Sequence, residues 1–544
     1  METLVHESPK LPASGNWSEM ASWAARVFLA TAACCVLLVG SLIWVARIVY
    51  LRKRQQLQGL PHYRQHFPFQ FQWTLLRACA PPTSQVAFST MLFAAVQGFH
   101  TIFQRFGRHL TLGGFTPLLV LYKAEYVEEV LSSNKILSKS QGYELLHSWL
   151  GTGLLTSVGE KWRTRRRLFT PAFHFRILDD FMSTINAQSF ILAKKLGELS
   201  RADRKFDVLP IVTMCTLDTT CETIMGTTIN AQSDENNPYV SAVNRLAELF
   251  LERAFRPLLQ WNLIFQLTPM AREYNKCLKT LHAFTRKVIA ERKQKLRKDI
   301  DNGLVTLEEN ASATSVGRKT PRPFMDILLL EHFKGNITED GIREEVDTFM
   351  FAGHDTTATG ISWALFLIGH YPEKQQLIHD ELDLIFGEDR DRYVTPEDLK
   401  QMKYLECALK ESQRIYPSVP FVSRNCTEPF TVGGVTLPKN SVVQIATYFL
   451  HRDPKVFPKP EEFHPERFLP ENSKGRHPYA YVPFSAGPRN CLGQRFALAE
   501  EKIVIANILR RFSIKSLDQR DQVALAAELV LRPRSGLRIQ FMPR

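Results

Sequence analysis

This chain contains few cysteines. It has nine cysteines in 544 residues, an odd number at low density, and no C-x-x-C pair occurs. Secreted disulfide scaffolds are rich in cysteine, and structural zinc sites use thiolates at short spacing. The sequence therefore excludes a disulfide framework and a four-thiolate zinc site, and it indicates a reducing compartment.

The usual features of nucleic-acid binding are also missing. Lysine and arginine outnumber aspartate and glutamate by 68 to 55, which gives a formal net charge of +13. However, the chain has no zinc-finger spacing and no isolated basic tail, because its basic residues are spread over apparent amphipathic helices. We predict no nucleic-acid partner. The positive charge instead favours an anionic lipid surface or an acidic protein partner.

One long apolar run lies near the N-terminus. Residues 27–46, VFLATAACCVLLVGSLIWVA, are uncharged, and 20 residues of helix span about 30 Å of hydrocarbon. Basic residues follow it at once from Arg47, whereas only Lys10 and Arg26 precede it. A cleaved signal peptide is the alternative, but the run is long and its positive flank is on the wrong side. We predict a single-pass anchor at 27–46 in the endoplasmic reticulum membrane, with residues 1–26 luminal and residues 47 onward cytosolic.

The remaining chain reads as a linker and one large domain. We predict that residues 47–85 form an aromatic, proline-containing linker and that residues 86–544 form one large domain. Helical periodicity dominates from about 140 to 305 and resumes after a polar stretch at 308–323. Short strand patterns follow residue 415, and no repeat is apparent. The predicted fold class is mainly α with small β-sheets.

The stretch PFSAGPRNCLG, residues 483–493, carries Cys491 in a glycine-proline loop just before a helical pattern. A helix N-terminus offers unpaired N–H groups and partial positive charge, which stabilise a thiolate. Gly493 allows the backbone to pass close to a flat or bulky group. Taken alone, such a cysteine is more often a buried structural thiol, so the loop by itself does not assign a ligand.

The same loop fits the pattern F-x-x-G-x-R-x-C-x-G through Phe484, Gly487, Arg489, Cys491 and Gly493. In this the sequence resembles the cytochrome P-450 monooxygenases. The resemblance implies a P-450 fold and a haem b cofactor whose iron takes Cys491 as its proximal thiolate ligand. It also implies that Phe484 packs beside the sulfur, that Arg489 pairs with a haem propionate and that Gly493 belongs to the cofactor site.

A second motif, KESQR, contains Glu411 and Arg414 one helical turn apart. An ordinary surface ion pair would have the same spacing. Further along, FHPERF contains Arg467. The resemblance implies that these three residues form a buried network that braces the cysteine loop.

The segment EEVDTFMFAGHDTTATGISWALFLIGH has the periodicity of a long helix. Gly353 and Gly360 in its interior cost about 1 kcal/mol each relative to alanine. They reflect either simple tolerance within a packed core or a local opening of the helix. The motif A-G-x-D-T-T at 352–357 matches the oxygen-activating helix of the P-450 enzymes. The resemblance implies that Thr356 hydrogen-bonds dioxygen and that Asp355 relays protons from solvent.

Trp162 and Arg166 are spaced i, i+4 and lie on one helix face. They match the W-x-x-x-R propionate pair of the resembled enzymes, and Arg424 matches a further propionate arginine. The resemblance also implies a substrate pocket lined by Phe349, Ala352, Val419 and Phe421. Three neighbouring arginines form either a solvated face or a contact for an acidic reductase: Arg163, Arg165 and Arg167.

The strings EVDTFMF, GHDTT and HPYAYVPFSAGPRNC are more specific. They resemble the fourth P-450 family and, within it, the 4V subfamily of microsomal fatty-acid ω-hydroxylases. This implies hydroxylation of fatty acids at or near the ω carbon, with O₂ and with electrons from NADPH through NADPH–cytochrome P-450 reductase. Cytochrome b5 is a further candidate partner. Hormones, pheromones and xenobiotics are alternative substrates.

Three rival functions are weighed against that prediction. A P-450 isomerase or peroxide lyase needs neither O₂ nor a reductase, and such members tend to lose the acid–alcohol pair that this chain retains in Asp355 and Thr356. A non-catalytic haem sensor or carrier predicts no NADPH-dependent turnover. A membrane scaffold with an ordinary core cysteine predicts no haem spectrum.

Two features depart from the resembled pattern. Many members carry a glutamate that forms an ester with a haem methyl group, and this chain has Ala352 at that position. We therefore predict haem held without a covalent ester, and strict ω selectivity does not follow from the resemblance. The proline-rich hinge after the anchor is also missing, so the resemblance does not predict the angle between anchor and domain.

Overall fold

The structure is a computed structural model. It describes residues 22, 24–34, 37, 40–41, 44–45, 47–48, 57, 60–62, 70–78, 87–113, 116–173, 175–202, 205–234, 237–305 and 323–544. The predicted polar stretch at 308–323 lies outside these residues except for Pro323. The same is true of 1–21 and of most of the predicted linker.

Helices make up most of the described chain. The helices are α1 (Ala24–Cys34), α2 (Gln70–Ala78), α3 (Phe88–Phe103), α4 (Ala124–Leu131), α5 (His147–Leu150), α6 (Gly159–Phe169), α7 (Phe175–Arg201), α8 (Val208–Thr220), α9 (Pro238–Phe255), α10 (Asn262–Gln266), α11 (Pro269–Asp301), α12 (Phe324–Phe333), α13 (Glu339–Ile368), α14 (Pro372–Phe386), α15 (Pro396–Gln401), α16 (Lys403–Ile415), α17 (Thr447–Leu450) and α18 (Gln494–Leu509).

Within the described residues, the strands form four small sheets. The strands are β1 (Arg108–Gly113), β2 (Thr116–Leu121), β3 (Val422–Asn425), β4 (Phe430–Val432), β5 (Val435–Leu437), β6 (Val442–Ile445), β7 (Phe512–Ser516), β8 (Leu525–Ala527), β9 (Leu531–Pro533) and β10 (Ile539–Pro543). One sheet has the order β1-β2-β6-β3, in which only β2 and β6 are parallel. The pairs β10-β7, β4-β5 and β8-β9 are antiparallel. The predicted class, mainly α with small sheets, is confirmed.

Helix α13 forms the centre of the core. It begins after Thr338, whose hydroxyl accepts a hydrogen bond from the N–H of Gly341 at 3.1 Å. The negative charges of Glu339 and Asp340 in the first turn interact favourably with the positive end of the helix dipole. From Ile342 onward nearly every side chain is buried. It packs against α8, α11, α16 and α18, so a helix with little polar surface is stabilised from all sides.

The N-terminal apolar run is described only in part. Helix α1 is apolar but shorter than a membrane span, and the described side chains of Phe28, Leu37 and Trp44 are exposed. Among the described residues, one segment has the length and composition of a span, Val208–Met225, but 83% of it is buried within the domain. That segment belongs to the core. The membrane anchor at 27–46 stays a prediction.

Candidate active site

A cavity of about 440 Å³ lies beside α13, at the middle of the domain. Its walls come from α6 and α13, from the loop after α16, from the cysteine loop with the start of α18, and from the turn between β8 and β9. Most side chains that line it are apolar. The predicted site residues that line it are Trp162, Arg166, Phe349, Ala352, Thr356, Val419, Phe421, Phe484, Arg489, Cys491 and Gly493.

The cysteine loop is held in a tight conformation. The N–H of Cys491 donates to the carbonyl of Phe484 at 2.9 Å. Gly487 has a φ of +68°, and a Cβ at this position would lie 1.8 Å from the carbonyl oxygen of Leu131, so only glycine fits. Cys491 lines the cavity, and the surface that it exposes faces that enclosed space and not bulk solvent.

Burial and nearby polar groups shift the pKa of the Cys491 thiol in opposite directions. Burial raises its pKa, whereas the backbone N–H of Gly493 and the guanidinium of Arg166 lower it. Arg166 donates to the carbonyl of Asn490 at 2.8 Å and to its side-chain oxygen at 2.6 Å. Arg166 therefore holds the residue next to Cys491 and brings positive charge close to the sulfur.

Cationic side chains gather at one side of the cavity. They are Lys139, Arg166, Arg424 and Arg489. Within the described part of the chain, none of the four has a carboxylate within 4.0 Å. Burial lowers the pKa of Arg489 to about 9, and Arg424 adds to that shift. Burial, followed by Arg424 and Arg489, lowers the pKa of Lys139 well below its usual value. Buried cations without counter-charges are costly, so this cluster fits a ligand that brings carboxylates.

Arg489 and Trp162 stack against each other, with the guanidinium carbon 4.1 Å from the ring centre. Arg489 also donates to the carbonyls of Leu137, at 3.0 Å, and Ser157, at 2.5 Å. Arg424 does not line the cavity; it lies behind the wall on β3 and is 2% exposed. Lys139 lies on the segment before α5, and no motif in the sequence marked it.

The middle of α13 supplies the wall that faces the cysteine loop. The Thr356 hydroxyl donates to the carbonyl of Ala352 at 2.8 Å, and the Ser418 hydroxyl donates to the carbonyl of Thr356 at 2.9 Å. Asp355 is not among the cavity-lining residues. It is 1% exposed, and its two oxygens accept from Arg532 at 2.6 and 2.8 Å. The acid predicted to relay protons is thus bound by an arginine that the sequence did not indicate.

The structure brings the three predicted brace residues together in one buried cluster. Arg414 donates to both oxygens of Glu411, at 2.7 and 2.9 Å, and both side chains are fully buried. Glu411 also accepts hydrogen bonds from the side chain of Arg467 at 3.2 Å and from the backbone N–H of His464 at 3.0 Å. Arg414 also donates to the carbonyl of His451 at 3.0 Å. This pair is therefore a buried network and not a surface ion pair.

Glu501 on α18 is a buried carboxyl group in the cavity wall that the sequence motifs did not mark. Gln413 donates to its two oxygens at 3.0 and 2.8 Å. A Cβ on Gly360 would lie 2.6 Å from one of these oxygens, so glycine on α13 makes room for the carboxyl. Burial raises the pKa of Glu501 to about 8, and the bonds from Gln413 only partly oppose the shift.

Glu501→Gln is expected to flatten the pH dependence of stability. The usual pKa is 4.5 and the folded-state pKa is about 8, so between these values the folded protein holds an extra proton. Unfolding releases that proton, and rising pH therefore favours the unfolded chain. Between about pH 5 and about pH 8.5, the wild-type melting temperature should fall by several degrees more than that of the variant. Parallel pH profiles for the two proteins would show that Glu501 does not titrate in this way.

The site can hold a flat dianionic group above Cys491. The four cations offer counter-charges for two carboxylates, and a Cβ on Gly493 would meet no protein atom within 4 Å. Cys491 offers a sulfur atom, which as a thiolate is a ligand for iron. Together with the mostly helical fold, these features define the class of haem-thiolate proteins.

Comparisons with known proteins identify the family. The family model for cytochrome P450 matches residues 83–541. Cytochrome P450 4c3 of Drosophila melanogaster is 46% identical over 456 residues, which cover 83% of this chain and 85% of that protein. Cytochrome P450 4V2 of Mus musculus is 43% identical over 530 residues, covering 95% and 97%. The human protein of the same name is 42% identical over 534 residues, covering 97% of each. The chain belongs to the cytochrome P450 family and is a family 4 monooxygenase.

Proposed function

We propose that this chain is a membrane-anchored haem-thiolate monooxygenase that hydroxylates fatty acids at or near the ω carbon. The observation that carries the proposal is the apolar part of the cavity wall. It contains Phe250, Phe349, Phe421, Leu529 and Val530. Such a wall fits the hydrocarbon part of a lipid, and apolar substrates concentrate in the same bilayer that holds the anchor.

We assign haem b to this cavity, held by Cys491 and by noncovalent contacts. When bound, haem supplies the redox chemistry by which one atom of O₂ enters a C–H bond and the other leaves as water. Lys139, Arg166, Arg424 and Arg489 would neutralise its propionates, and Trp162 supports Arg489 by stacking. The protein's remaining task is to orient the substrate, exclude water and deliver protons.

We assign proton delivery to Thr356 and Asp355. Thr356 is a hydroxyl-bearing residue of α13 that lines the cavity, and Asp355 directly precedes it on the same helix. Hydroxylation consumes two protons for each O₂ that is reduced, so the site needs a path for protons. A carboxyl group next to a hydroxyl group can form such a path. Arg532 binds Asp355 in this structure, so the carboxylate must leave Arg532 or exchange protons through water to take part.

Ala352 supports a haem without a covalent link. Its methyl group lines the cavity where an ester-forming carboxylate would be needed, and alanine cannot form an ester. We expect acidified organic solvent to extract all of the haem from the wild-type protein. Ala352→Glu supplies the missing carboxylate and should leave part of the haem bound to the polypeptide after turnover. Haem that stays on the wild-type chain would refute this prediction.

Membrane attachment is proposed from two apolar regions. The first is the anchor at 27–46 and the second lies between α9 and α11. There Leu258, Trp261, Leu263 and Leu267 are each at least 67% exposed. Exposed apolar groups at this density are typical of a surface that meets lipid. The full chain should stay in the membrane pellet during alkaline extraction, whereas its release into the supernatant would contradict the anchor.

The proposed topology has residues 1–26 in the lumen of the endoplasmic reticulum and residues 86–544 as the cytosolic catalytic domain. Electrons would come from NADPH through NADPH–cytochrome P-450 reductase, with cytochrome b5 as a further donor. Arg163 and Arg167 on α6 are exposed and offer positive charge to such partners. Arg165 is turned inward, where its side chain lies 3.7 Å from Glu345, so it does not belong to that surface.

The substrate class is tested by reconstitution. The purified chain with reductase, NADPH and saturated fatty acids of increasing length should consume NADPH and give hydroxylated acids detectable by mass spectrometry. A matched set of fatty acids, sterols and aromatic xenobiotics separates the proposed class from the alternatives. Products from sterols or xenobiotics alone would reject fatty acids. Haem binding without NADPH-dependent product from any of them would favour a sensor or carrier.

A further inference from the structure

Arg534, just after β9, joins three separate parts of the domain. One of its terminal nitrogens bonds to Glu248 on α9, and the other lies 2.8 Å from Glu528 in the turn between β8 and β9. The same guanidinium donates twice to the hydroxyl of Ser89 on α3, at 3.2 Å each. A single planar cation therefore holds two carboxylates and a hydroxyl in fixed directions.

Both carboxylate partners belong to elements that line the cavity. Glu528 itself lines it, as do Leu529 and Val530, the next two residues of the turn. On α9, Phe250 lies two residues after Glu248 and also lines the cavity. The link through Arg534 thus connects two parts of the apolar wall where the proposed substrate would lie.

Glu528 depends on its arginine neighbours. Its side chain is 1% exposed, and its other carboxylate oxygen lies 3.7 Å from Arg532, which is already bound to Asp355. Burial raises the pKa of Glu528 to about 7, while Arg534 and then Arg532 oppose the shift. Removing Arg534 would take away the nearest cation and leave a buried carboxyl group without its main partner, and such groups rearrange.

We propose that Arg534 is a positioning residue that sets the regioselectivity of hydroxylation, by holding the turn at Glu528–Val530 at a fixed distance from α9. The inference rests on the proposed function, because it concerns which carbon of an alkyl chain is presented for reaction. When the two parts of the wall are joined, the end of the substrate's alkyl chain can enter the cavity in few orientations. A wall whose parts move independently admits neighbouring carbons as well, since displacements of about 1 Å change reaction rates strongly.

The test compares Arg534→Gln and Glu248→Gln with a matched control, Arg538→Gln. Arg538 lies on the same C-terminal segment and forms an ion pair with Asp518 at 2.7 Å, but neither residue lines the cavity. The readout is the ratio of terminal to subterminal hydroxylation of one saturated fatty acid. The spectrum of the reduced carbon monoxide complex and the melting temperature serve as checks on folding.

We expect Arg534→Gln and Glu248→Gln each to lower that ratio by about threefold or more, and the control to leave it unchanged. Because both residues act through one ion pair, the double variant should show little further change. An unchanged ratio in Arg534→Gln, or an equal change in Arg538→Gln, would overturn the inference while leaving the proposed function intact. A wild-type protein that hydroxylates no fatty acid would reject the proposed function and this inference with it.

Discussion

Cys491→Ala is expected to abolish the red-shifted Soret band of the reduced carbon monoxide complex and to reduce hydroxylation to background. That band requires a thiolate as the ligand of haem iron. Cys491 is the only cysteine among the described residues that line the cavity. The buried cysteines Cys215, Cys221, Cys277, Cys407 and Cys426 do not line the cavity and cannot replace it.

Cys407→Ala is the matched control for this experiment. Cys407 is a buried thiol on α16 that does not line the cavity, so its removal costs packing but no iron ligand. We expect the control to keep both the band and the activity. Persistence of the band in Cys491→Ala, or its loss in both variants, would show that Cys491 is not the ligand.

Arg414→Ala is expected to prevent stable folding or to leave a protein that does not retain haem. The change strips the fully buried Glu411 of its bidentate partner and leaves the carbonyl of His451 without its donor. Breaking a buried ion pair by removing one partner costs about 3–5 kcal/mol, which is a large part of the stability of most domains. Haem content per polypeptide and the melting temperature measure the effect.

Lys410→Ala provides the comparison on the same helix. Lys410 pairs with Glu406 at 2.6 Å on the surface of α16, and both side chains are about one-third exposed or more. Exposed pairs contribute about 0–1 kcal/mol, so this variant should retain haem and nearly all of its stability. Equal losses in the two variants would mean that the network around Glu411 does not brace the domain.

Local patterns predicted much of the fold. The helical periodicity between 344 and 370 anticipated α13, although the helix begins five residues earlier, at Glu339. Thr338 caps the helix at that end, and two acidic residues stabilise its first turn. Hydrophobic periodicity contains no information about polar residues of this kind. Likewise, the segment TPLLVLYKAEYVEEVL has the pattern of a strand followed by a helix, and the structure has β2 and α4 there.

Contacts between distant segments could not be predicted in the same way. Asp355 and Arg532 are 177 positions apart, and no local spacing links them. Lys139 lies outside any motif, and only the fold brings it to Arg424 and Arg489. Glu501 lies on α18, the helix that follows the cysteine loop, but its burial depends on a glycine of α13 and an amide of α16. The sequence motifs predicted individual residues of the site. They did not predict the charged partners of these residues, because tertiary packing brings those partners from distant parts of the chain.

The central claim is that the cavity above Cys491 supports insertion of one oxygen atom from O₂ into a fatty acid. The most direct measurement is isotope incorporation. The full chain is incubated with reductase, NADPH and a saturated fatty acid under isotopically heavy dioxygen, and the isotope content of the product and of water is determined by mass spectrometry. We predict a hydroxylated acid in which the new oxygen atom is heavy, with the second heavy atom recovered in water. A product that carries oxygen from solvent, or the absence of any NADPH-dependent product, would contradict the account.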